Sequence, residues 1–120
     1  MSWTNTEKSK LGDARNILAT YSEDVASDGK GATTEHMNVM GYSRVSVSAH
    51  TKDKYSKTFS LTLLGSIDGV NFYPLSSVSG GDKSDTILVS HHDLVVRFVK
   101  AQFSDSKKSV STNITLYAST

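Results

Sequence analysis

The chain contains no cysteine and only one proline among its 120 residues. The absence of cysteine excludes disulfide bonds, thiolate metal ligands and cysteine nucleophiles. Alanine, leucine and glutamate, which favour helices, are together outnumbered by valine, threonine, tyrosine, phenylalanine and isoleucine. This composition favours β-strands.

A strong charge of either sign is also lacking, because 13 basic residues balance 12 acidic ones and the net charge is +1. A nucleic-acid-binding protein usually carries a concentrated basic face. The densest basic stretch, residues 52–57, is interrupted by Asp53 and is typical of a solvated loop. We therefore expect no nucleic-acid partner.

Long apolar runs are missing as well. No run approaches the roughly 18 residues that a membrane-spanning helix needs, and the first ten residues contain no apolar segment of the kind found in signal peptides. The sequence therefore predicts a soluble protein that is made in a cytoplasm and has no membrane partner. Its length fits one domain that is large enough to bury a core.

Residues 1–13 are polar and aperiodic apart from Trp3 and Leu11. This pattern predicts an extended N-terminal arm, followed by a single domain over residues 14–120. A lone tryptophan in a polar arm can dock either on its own domain or on a neighbouring molecule.

Alternation of apolar and polar side chains predicts six to eight short strands in the remainder. The clearest strands point Val45, Val47 and Ala49, then Phe59, Leu61 and Leu63, then Ile114, Leu116 and Ala118 to one face. Residues 14–25 fit a strand or a short helix and are assigned to a strand. Residues 93–103 are also assigned to a strand, whose apolar first half suggests cover on both faces or a bulge.

Turn-forming residues separate these strands, and no long helix or βαβ alternation is present. Pro74 cannot donate to a strand ladder, so the strand that contains it is expected to be short or to lie at a sheet edge. The predicted fold is all-β, an antiparallel β-sandwich of the jelly-roll-like kind.

No group of residues points to a reaction. His91 and His92 are adjacent and would need a third ligand, such as His36 or His50, to bind zinc. Serine, histidine and aspartate are abundant, but the G-x-S-x-G elbow of a serine hydrolase is absent. The acids cluster in turns, where aspartate usually bonds its own backbone. We predict a protein that is not an enzyme, with no catalytic residue, metal ligand or cofactor.

Two binding possibilities stay open at this point. Residues 80–85, together with Asp68, could offer oxygen ligands to calcium, although their spacing matches no EF-hand loop. Exposed aromatic rings could bind a glycan, and at least half of the candidates should instead be core or cross-strand partners. The candidates are Tyr42, Tyr55, Phe72, Tyr73 and Tyr117.

The stretch LTLLGSIDGVNFYPL, residues 61–75, resembles small structural proteins of tailed-phage virions. Such proteins often contain a strand, then G-S-x-D-G-x-N-[FW], then a second strand. GYSRVSVSAH upstream, and HDLVVRFVKAQF and NITLYAS downstream, resemble the neighbouring strands, so that the resemblance covers roughly residues 38–119.

This resemblance implies an architectural role without catalysis or cofactor. The implied protein is a head decoration or cement protein, or a component of a fibre, neck or tail, located in the virion. Its partners would be the major capsid protein or other virion proteins, and it would form a homo-oligomer, with a trimer favoured. We expect the interface to involve the arm around Trp3 and the apolar residues Met37, Val39 and Met40.

The same hairpin also resembles discoidin-type, galactose-binding-like domains. These share a G-S-x-D-G-x-x-[WF] hairpin and a later R-[YF]-[VI] strand, which Arg97, Phe98 and Val99 match. The alternative function is therefore a carbohydrate-binding module for host-surface glycans. Discoidin-type domains are generally longer, and many extracellular members carry a terminal disulfide that this chain cannot form.

The centre of the hairpin reads as a tight turn. Asp68 and Gly69 supply the conformations that a turn demands, because glycine adopts positive φ readily. Asn71 tolerates the left-handed region or bonds the turn through its side chain. A three-to-five-residue loop, with a bulge at Gly69, explains these residues without a ligand, and they serve as a fold signature.

Overall fold

Ten β-strands and no helix occur in the part of the chain that the computed structural model describes, residues 3, 5–11, 14–25, 32–51, 59–79, 86–104 and 110–120. The strands are β1 (Asn5–Leu11), β2 (Ala14–Val25), β3 (Ala32–Thr33), β4 (Met37–Asn38), β5 (Arg44–Thr51), β6 (Ser60–Ser66), β7 (Tyr73–Ser79), β8 (Thr86–His91), β9 (Phe98–Ser104) and β10 (Val110–Ser119). Within these residues no helix is long and apolar enough to cross a membrane.

The strands form two sheets, and each neighbouring pair is antiparallel. The first sheet has the order β1-β2-β10-β5-β8, and the second has the order β3-β9-β6-β7, with β4 also paired to β9. If β3 and β4 are taken as one interrupted strand and β1 as an added edge, this order is that of a jelly roll. The predicted all-β, antiparallel sandwich is confirmed.

The core lies between the two sheets, and the predicted alternation of side chains produces it. β5 buries Val45, Val47 and Ala49, while the intervening residues face outward. β6, β9 and β10 alternate in the same way, so that each sheet presents one apolar face to the other. The buried hydrophobic residues of these three strands are Leu61, Leu63, Val99, Ala101, Phe103, Ile114, Leu116 and Ala118, and Phe59 precedes β6.

β7 is an edge strand of the second sheet, as Pro74 predicts. The β6–β7 register shifts between Leu63, which pairs with Ser76, and Leu64, which pairs with Pro74. Leu75 is therefore the extra residue of a β-bulge. The bulge lies beside the proline and not at Gly69, where the turn sequence had suggested it.

The strand predicted over residues 93–103 begins only at Phe98, so the prediction is wrong for residues 93–97. Those five residues form an irregular connection that is held by remote backbone groups, because Leu94 N–H donates to the Ser43 carbonyl at 2.9 Å and Arg97 N–H donates to the Ser66 carbonyl at 3.0 Å. The side chains of this connection point in different directions. Leu94 and Val96 pack on the core, whereas Val95 is 85% exposed.

Within the N-terminal segment, Asn5–Leu11 is extended and forms edge strand β1 along β2. Trp3 packs against the core and is hydrogen-bonded to Glu35, which lies between β3 and β4 of the second sheet. Its backbone N–H donates to Glu35 Oε1 at 3.1 Å, and its Nε1–H donates to the Glu35 carbonyl at 3.0 Å. In this structure the tryptophan therefore docks on its own domain. The division of the chain into an arm and a domain at residue 13 stays a prediction.

Candidate functional site

Three segments meet at one end of the sandwich. The backbone of Arg97 joins them, because its N–H donates to the Ser66 carbonyl at 3.0 Å and its carbonyl accepts from Val39 N–H at 2.7 Å. Tyr42 N–H closes the turn that follows Val39, at 3.0 Å from the Val39 carbonyl. We call the group of residues 39–43, 66–73 and 93–97 the loop end.

The predicted turn residues come together in one hydrogen-bonded turn at the loop end. Asp68 Oδ1 accepts from Val70 N–H at 2.9 Å, from Asn71 N–H at 2.8 Å and from Ser66 Oγ–H at 2.9 Å. Asp68 Oδ2 accepts from the Asn71 side-chain amide at 2.9 Å. Gly69 has φ +78°, the conformation for which glycine was expected there.

The carboxylate of Asp68 therefore serves the turn. Hydrogen bonds from the backbone N–H groups of Asn71 and Val70, and then from the side chains of Asn71 and Ser66, hold the pKa of this carboxyl well below its usual range. Three neighbouring donors therefore engage Oδ1, and one engages Oδ2. Residues 80–85, the other part of the predicted calcium possibility, lie outside the described residues.

Ser66 belongs to the G-S-x-D-G-x-N motif, but the sequence interpretation gave its side chain no role in the turn. Its side chain is buried, and its Oγ accepts from Gly69 N–H at 2.9 Å while donating to Asp68. Its carbonyl also receives Arg97 N–H, so Ser66 couples the turn to the 93–97 connection. The signal was a serine two residues before the turn aspartate, a spacing that allows short side chains to bond the same backbone.

A pocket of about 360 Å³ lies beside the turn. Gly65 lies in its wall and has no room for a side chain, because a Cβ at this position would lie 2.7 Å from Leu75 Cδ1 and 3.0 Å from Val96 Cγ2. Its walls are mainly apolar, and it is lined by Gly65, Ser66, Ile67, Asp68, Asn71, Tyr73, Leu75 and Val96. The pocket suits an apolar side chain better than a polar ligand.

An aromatic cluster supports the turn. The ring of Phe98 faces Gly69, where an added Cβ would lie 3.4 Å from Phe98 Cε2. His36 makes an edge contact with Phe98 at 5.0 Å between ring centroids and stacks with Phe72 at 6.0 Å. Lys100 Nζ lies 4.1 Å from the centroid of Phe72. The cluster fixes the base of the turn, and His36 belongs to it.

Exposed apolar side chains concentrate at the loop end. Among the described residues, five of the seven large hydrophobic side chains that are exposed lie there, and the other two lie on the outer face of the first sheet. Scattered exposed apolar residues are ordinary, whereas a group of them marks an interaction surface. The five are Met40, Ile67, Val70, Tyr73 and Val95.

The four residues expected at an interface differ in their exposure. Met40 is exposed at the loop end, but Val39 is fully buried and contributes to the core. Met37 and Trp3 are partly buried and pack against that core. Sequence reasoning missed the exposed valines Val70 and Val95. The sequence alone does not show whether an apolar residue in a loop packs inward or faces solvent.

The histidines do not converge. His91 Nδ1 lies 3.2 Å from Ser76 Oγ, while His50 and His92 are exposed at separate positions on β5 and after β8. Within the described ranges, no group of three or more histidine, aspartate or glutamate side chains could hold a metal ion. The structure does not bring the predicted zinc candidates together.

A second groove, of about 370 Å³, lies on the outer face of the first sheet. It is lined by Arg44, Val45, Ser46, His92, Tyr117 and Ser119. Of the aromatic residues that could bind a sugar, Tyr73 and Tyr117 are exposed and Tyr42 and Phe72 are half-buried. Tyr55 lies outside the described residues.

No protein-family model matches the chain, and no curated protein sequence matches it. Solved structures do match its fold. PirA gives a TM-score of 0.54 at 10% identity, over 82% of this chain and 92% of PirA. The PBSX exported protein XepA gives 0.53 at 13% identity over 82% of this chain. The chain spans only 36% of the length of XepA.

A third match is a protein of Bacillus endospore appendages, which are described as a family of disulfide-linked pili. Its TM-score is 0.50 at 11% identity, and the match covers 97% of this chain and 96% of the appendage protein. At such identities the three likenesses establish the fold of this chain and nothing further.

Proposed function

We propose that this chain is a non-enzymatic structural protein of a tailed-phage virion, a capsid decoration or cement protein or a related head or tail component. It would act by assembling with copies of itself and binding a capsid or tail surface. The observation that carries the proposal is the group of exposed apolar side chains at the loop end. The G-S-x-D-G-x-N hairpin supports the virion setting, because that motif is the basis of the resemblance.

The loop end is suited to burial against another protein. Val70 is 79% exposed and Val95 is 85% exposed, and burying one valine side chain contributes about 1.5–3 kcal/mol. The polar groups of the turn already bond one another through Asp68 and Ser66. Covering the turn would therefore leave few unpaired polar groups, which is the usual cost of burying a loop.

The chain also has a pocket of a kind that accepts apolar side chains. The pocket beside Gly65 is apolar and open, and the exposed valines of a second copy have the size and character to enter it. One molecule thus supplies both halves of a contact, and repeating that contact generates a symmetric oligomer if the rotation closes. The predicted trimer is one such arrangement.

The likeness to the endospore appendage protein supports an assembling role, because a domain of this fold forms disulfide-linked pili there. This chain has no cysteine, so its assembly would depend on noncovalent contacts. The loop end supplies apolar surface for them. The capsid or other virion partner would bind the assembled form, in the virion.

The structure changes how the predicted arm should be tested. Deleting residues 1–13 would remove the whole of β1 from its pairing with β2 and would also remove Trp3 from Glu35. Such a truncation would alter folding and assembly together. Substitutions at exposed positions separate the two effects.

The proposal predicts that a double variant, Val70→Glu with Val95→Glu, loses assembly while keeping its fold. Surface substitutions of exposed side chains usually change the free energy of unfolding by less than about 0.5 kcal/mol, whereas two carboxylates in an apolar contact would disrupt it. Sedimentation velocity reports the mass, and co-sedimentation with purified virions reports particle binding. The melting temperature verifies the fold.

Leu88→Glu is the matched control, since Leu88 is an exposed apolar residue on the outer face of the first sheet, away from the loop end. The control and the wild type should assemble equally. Assembly of the double variant at the wild-type level would overturn the proposal, as would a wild type that stays monomeric and does not bind virions.

A further inference from the structure

The groove on the outer face of the first sheet is lined by none of the loop-end residues, and strand register places its polar side chains together. Tyr117 on β10 pairs with Ser46 on β5, and Ser119 pairs with Arg44 two residues further along. Residues two apart on a strand share a face, and directly opposite residues have Cβ atoms about 4.5–5.5 Å apart. The phenol ring, two hydroxyls and the guanidinium therefore line one surface.

Tyr117 supplies an apolar ring to this groove. Tyr117 is 45% exposed although its strand, β10, is paired on both edges, with β2 and with β5. An exposed ring on a flat sheet presents an apolar face, edged by a hydroxyl, on which the C–H face of a sugar ring can stack. Ser46 Oγ and Ser90 Oγ lie 2.9 Å apart, so a hydroxyl pair borders the ring.

The cationic group of the groove, the Arg44 guanidinium, favours an anion. Arg44 and His92 line it, and none of the described residues that line it is an aspartate or glutamate. Arg44 Nη2 donates to the Thr120 carbonyl at 3.0 Å, which holds the guanidinium to the residue that follows β10. A guanidinium has five N–H donors in a planar fork that matches a carboxylate, and this bond uses one of them.

We infer that the groove binds a sugar that carries a carboxylate, such as the terminal sialate or hexuronate of an acidic glycan. The sugar ring would lie on Tyr117, its hydroxyls would meet Ser46 and Ser119, and its carboxylate would accept from Arg44, with His92 as a second donor. Tyr117 and Tyr73 are two of the five aromatic residues that the sequence offered for a glycan. Tyr73 lines the apolar pocket of the loop end, where a polar sugar has fewer partners.

The test is an NMR titration of the full chain, in which amide shifts are followed with three probes: 3′-sialyllactose, lactose and sodium acetate. We expect shifts at Arg44, Ser46 and Tyr117 with sialyllactose, and an affinity for lactose that is at least about tenfold lower because a charge-assisted bond is missing. Acetate alone should bind more weakly still, since it lacks the ring that stacks on the tyrosine.

Two variants and a control assign the roles. Arg44→Gln should abolish the preference for sialyllactose over lactose, and Tyr117→Ser should abolish binding of both. Leu88→Ser, on the same sheet face, should leave binding unchanged. All three should sediment like the wild type, so a failure here is distinguishable from a failure of the assembly proposal.

The inference is overturned if millimolar sialyllactose shifts none of these amides, or if Arg44→Gln binds it as the wild type does. Equal binding of acetate and sialyllactose would also overturn it, because the groove would then be a simple anion site.

Discussion

The turn at residues 66–71 and the connection at residues 93–97 lie side by side at the loop end, but different interactions determine their conformations. The turn is held mainly by its own side chains, with Asp68 and Ser66 bonding the amides that follow them. The connection is held by backbone groups from distant parts of the chain, at Ser43 and Ser66. One conformation is encoded locally, and the other depends on the completed fold.

This difference explains which part of the loop end was predictable. Short polar side chains and glycine fix a turn over a few residues, so the GSIDGVN segment reveals its structure directly. The 93–97 segment was assigned to a strand because of its apolar residues. The spacing of apolar residues does not reveal hydrogen bonds with remote segments, so the irregular conformation was not predictable. Both segments expose a valine, and the turn and the connection could therefore act together as one surface.

The largest expected effect on the free energy of unfolding is that of Gly65→Val. Gly65 directly precedes the turn and lies against Val96 of the 93–97 connection. The new Cβ would lie 2.7 Å from Leu75 Cδ1 and 3.0 Å from Val96 Cγ2, so the side chains of Leu75 and Val96 must shift. We expect the free energy of unfolding to fall by about 2–3 kcal/mol, as overpacking usually costs. Urea denaturation measures this value.

Thr62→Val is the matched control for that experiment. It introduces the same side chain on the same strand, at a half-buried position that faces outward. A small effect of this control together with a large effect at Gly65 would show that the close approach is responsible. Equal effects at both positions would mean that the connection is not packed as described.

The next largest effect on stability is expected from substitutions within the turn itself. Gly69 has φ +78°, so Gly69→Val should lower the free energy of unfolding by about 1–2 kcal/mol, because a branched side chain resists the left-handed region. Gly69→Asn should cost less, since asparagine adopts that region more readily and places the same Cβ against Phe98. Similar losses for both variants would show that contact with Phe98, rather than backbone conformation, makes glycine necessary.

The smallest expected effect on stability is that of replacing the carboxylate of Asp68. Asp68→Ala should lower the melting temperature by a few degrees at neutral pH, and Asp68→Asn should lower it less, because the amide oxygen can still accept from Val70 and Asn71. The turn donors lower the pKa of Asp68 in the folded chain, so the ionised form stabilises the fold above the unfolded-chain pKa of about 3.9.

That linkage gives a pH test. The difference in melting temperature between wild type and Asp68→Asn should be constant from neutral pH to about pH 4 and should shrink as the pH falls further toward the lowered pKa. A difference that disappears well above pH 4 would contradict the hydrogen-bonded turn, because the carboxyl would then be titrating at an ordinary or raised pKa.

Much of the fold was predictable because its signals are local. Val45, Val47 and Ala49 alternate with polar residues and are buried, and Pro74 lies on an edge strand as its missing N–H requires. The candidate surface was less predictable. Val39 and Met40 are adjacent apolar residues, yet one is fully buried and the other is 59% exposed, since the turn that reverses the chain there depends on pairing with Arg97.

The central claim is that the loop end, and not a sheet face, forms the contact between molecules. Electron microscopy of the protein in its assembled form, at a resolution that shows side chains, tests this most directly. The account predicts that Met40, Val70 and Val95 are buried between subunits or against a capsid or tail protein, with the outer face of the first sheet open to solvent. An assembly whose contacts come from that outer face, with both valines in solvent, would contradict it.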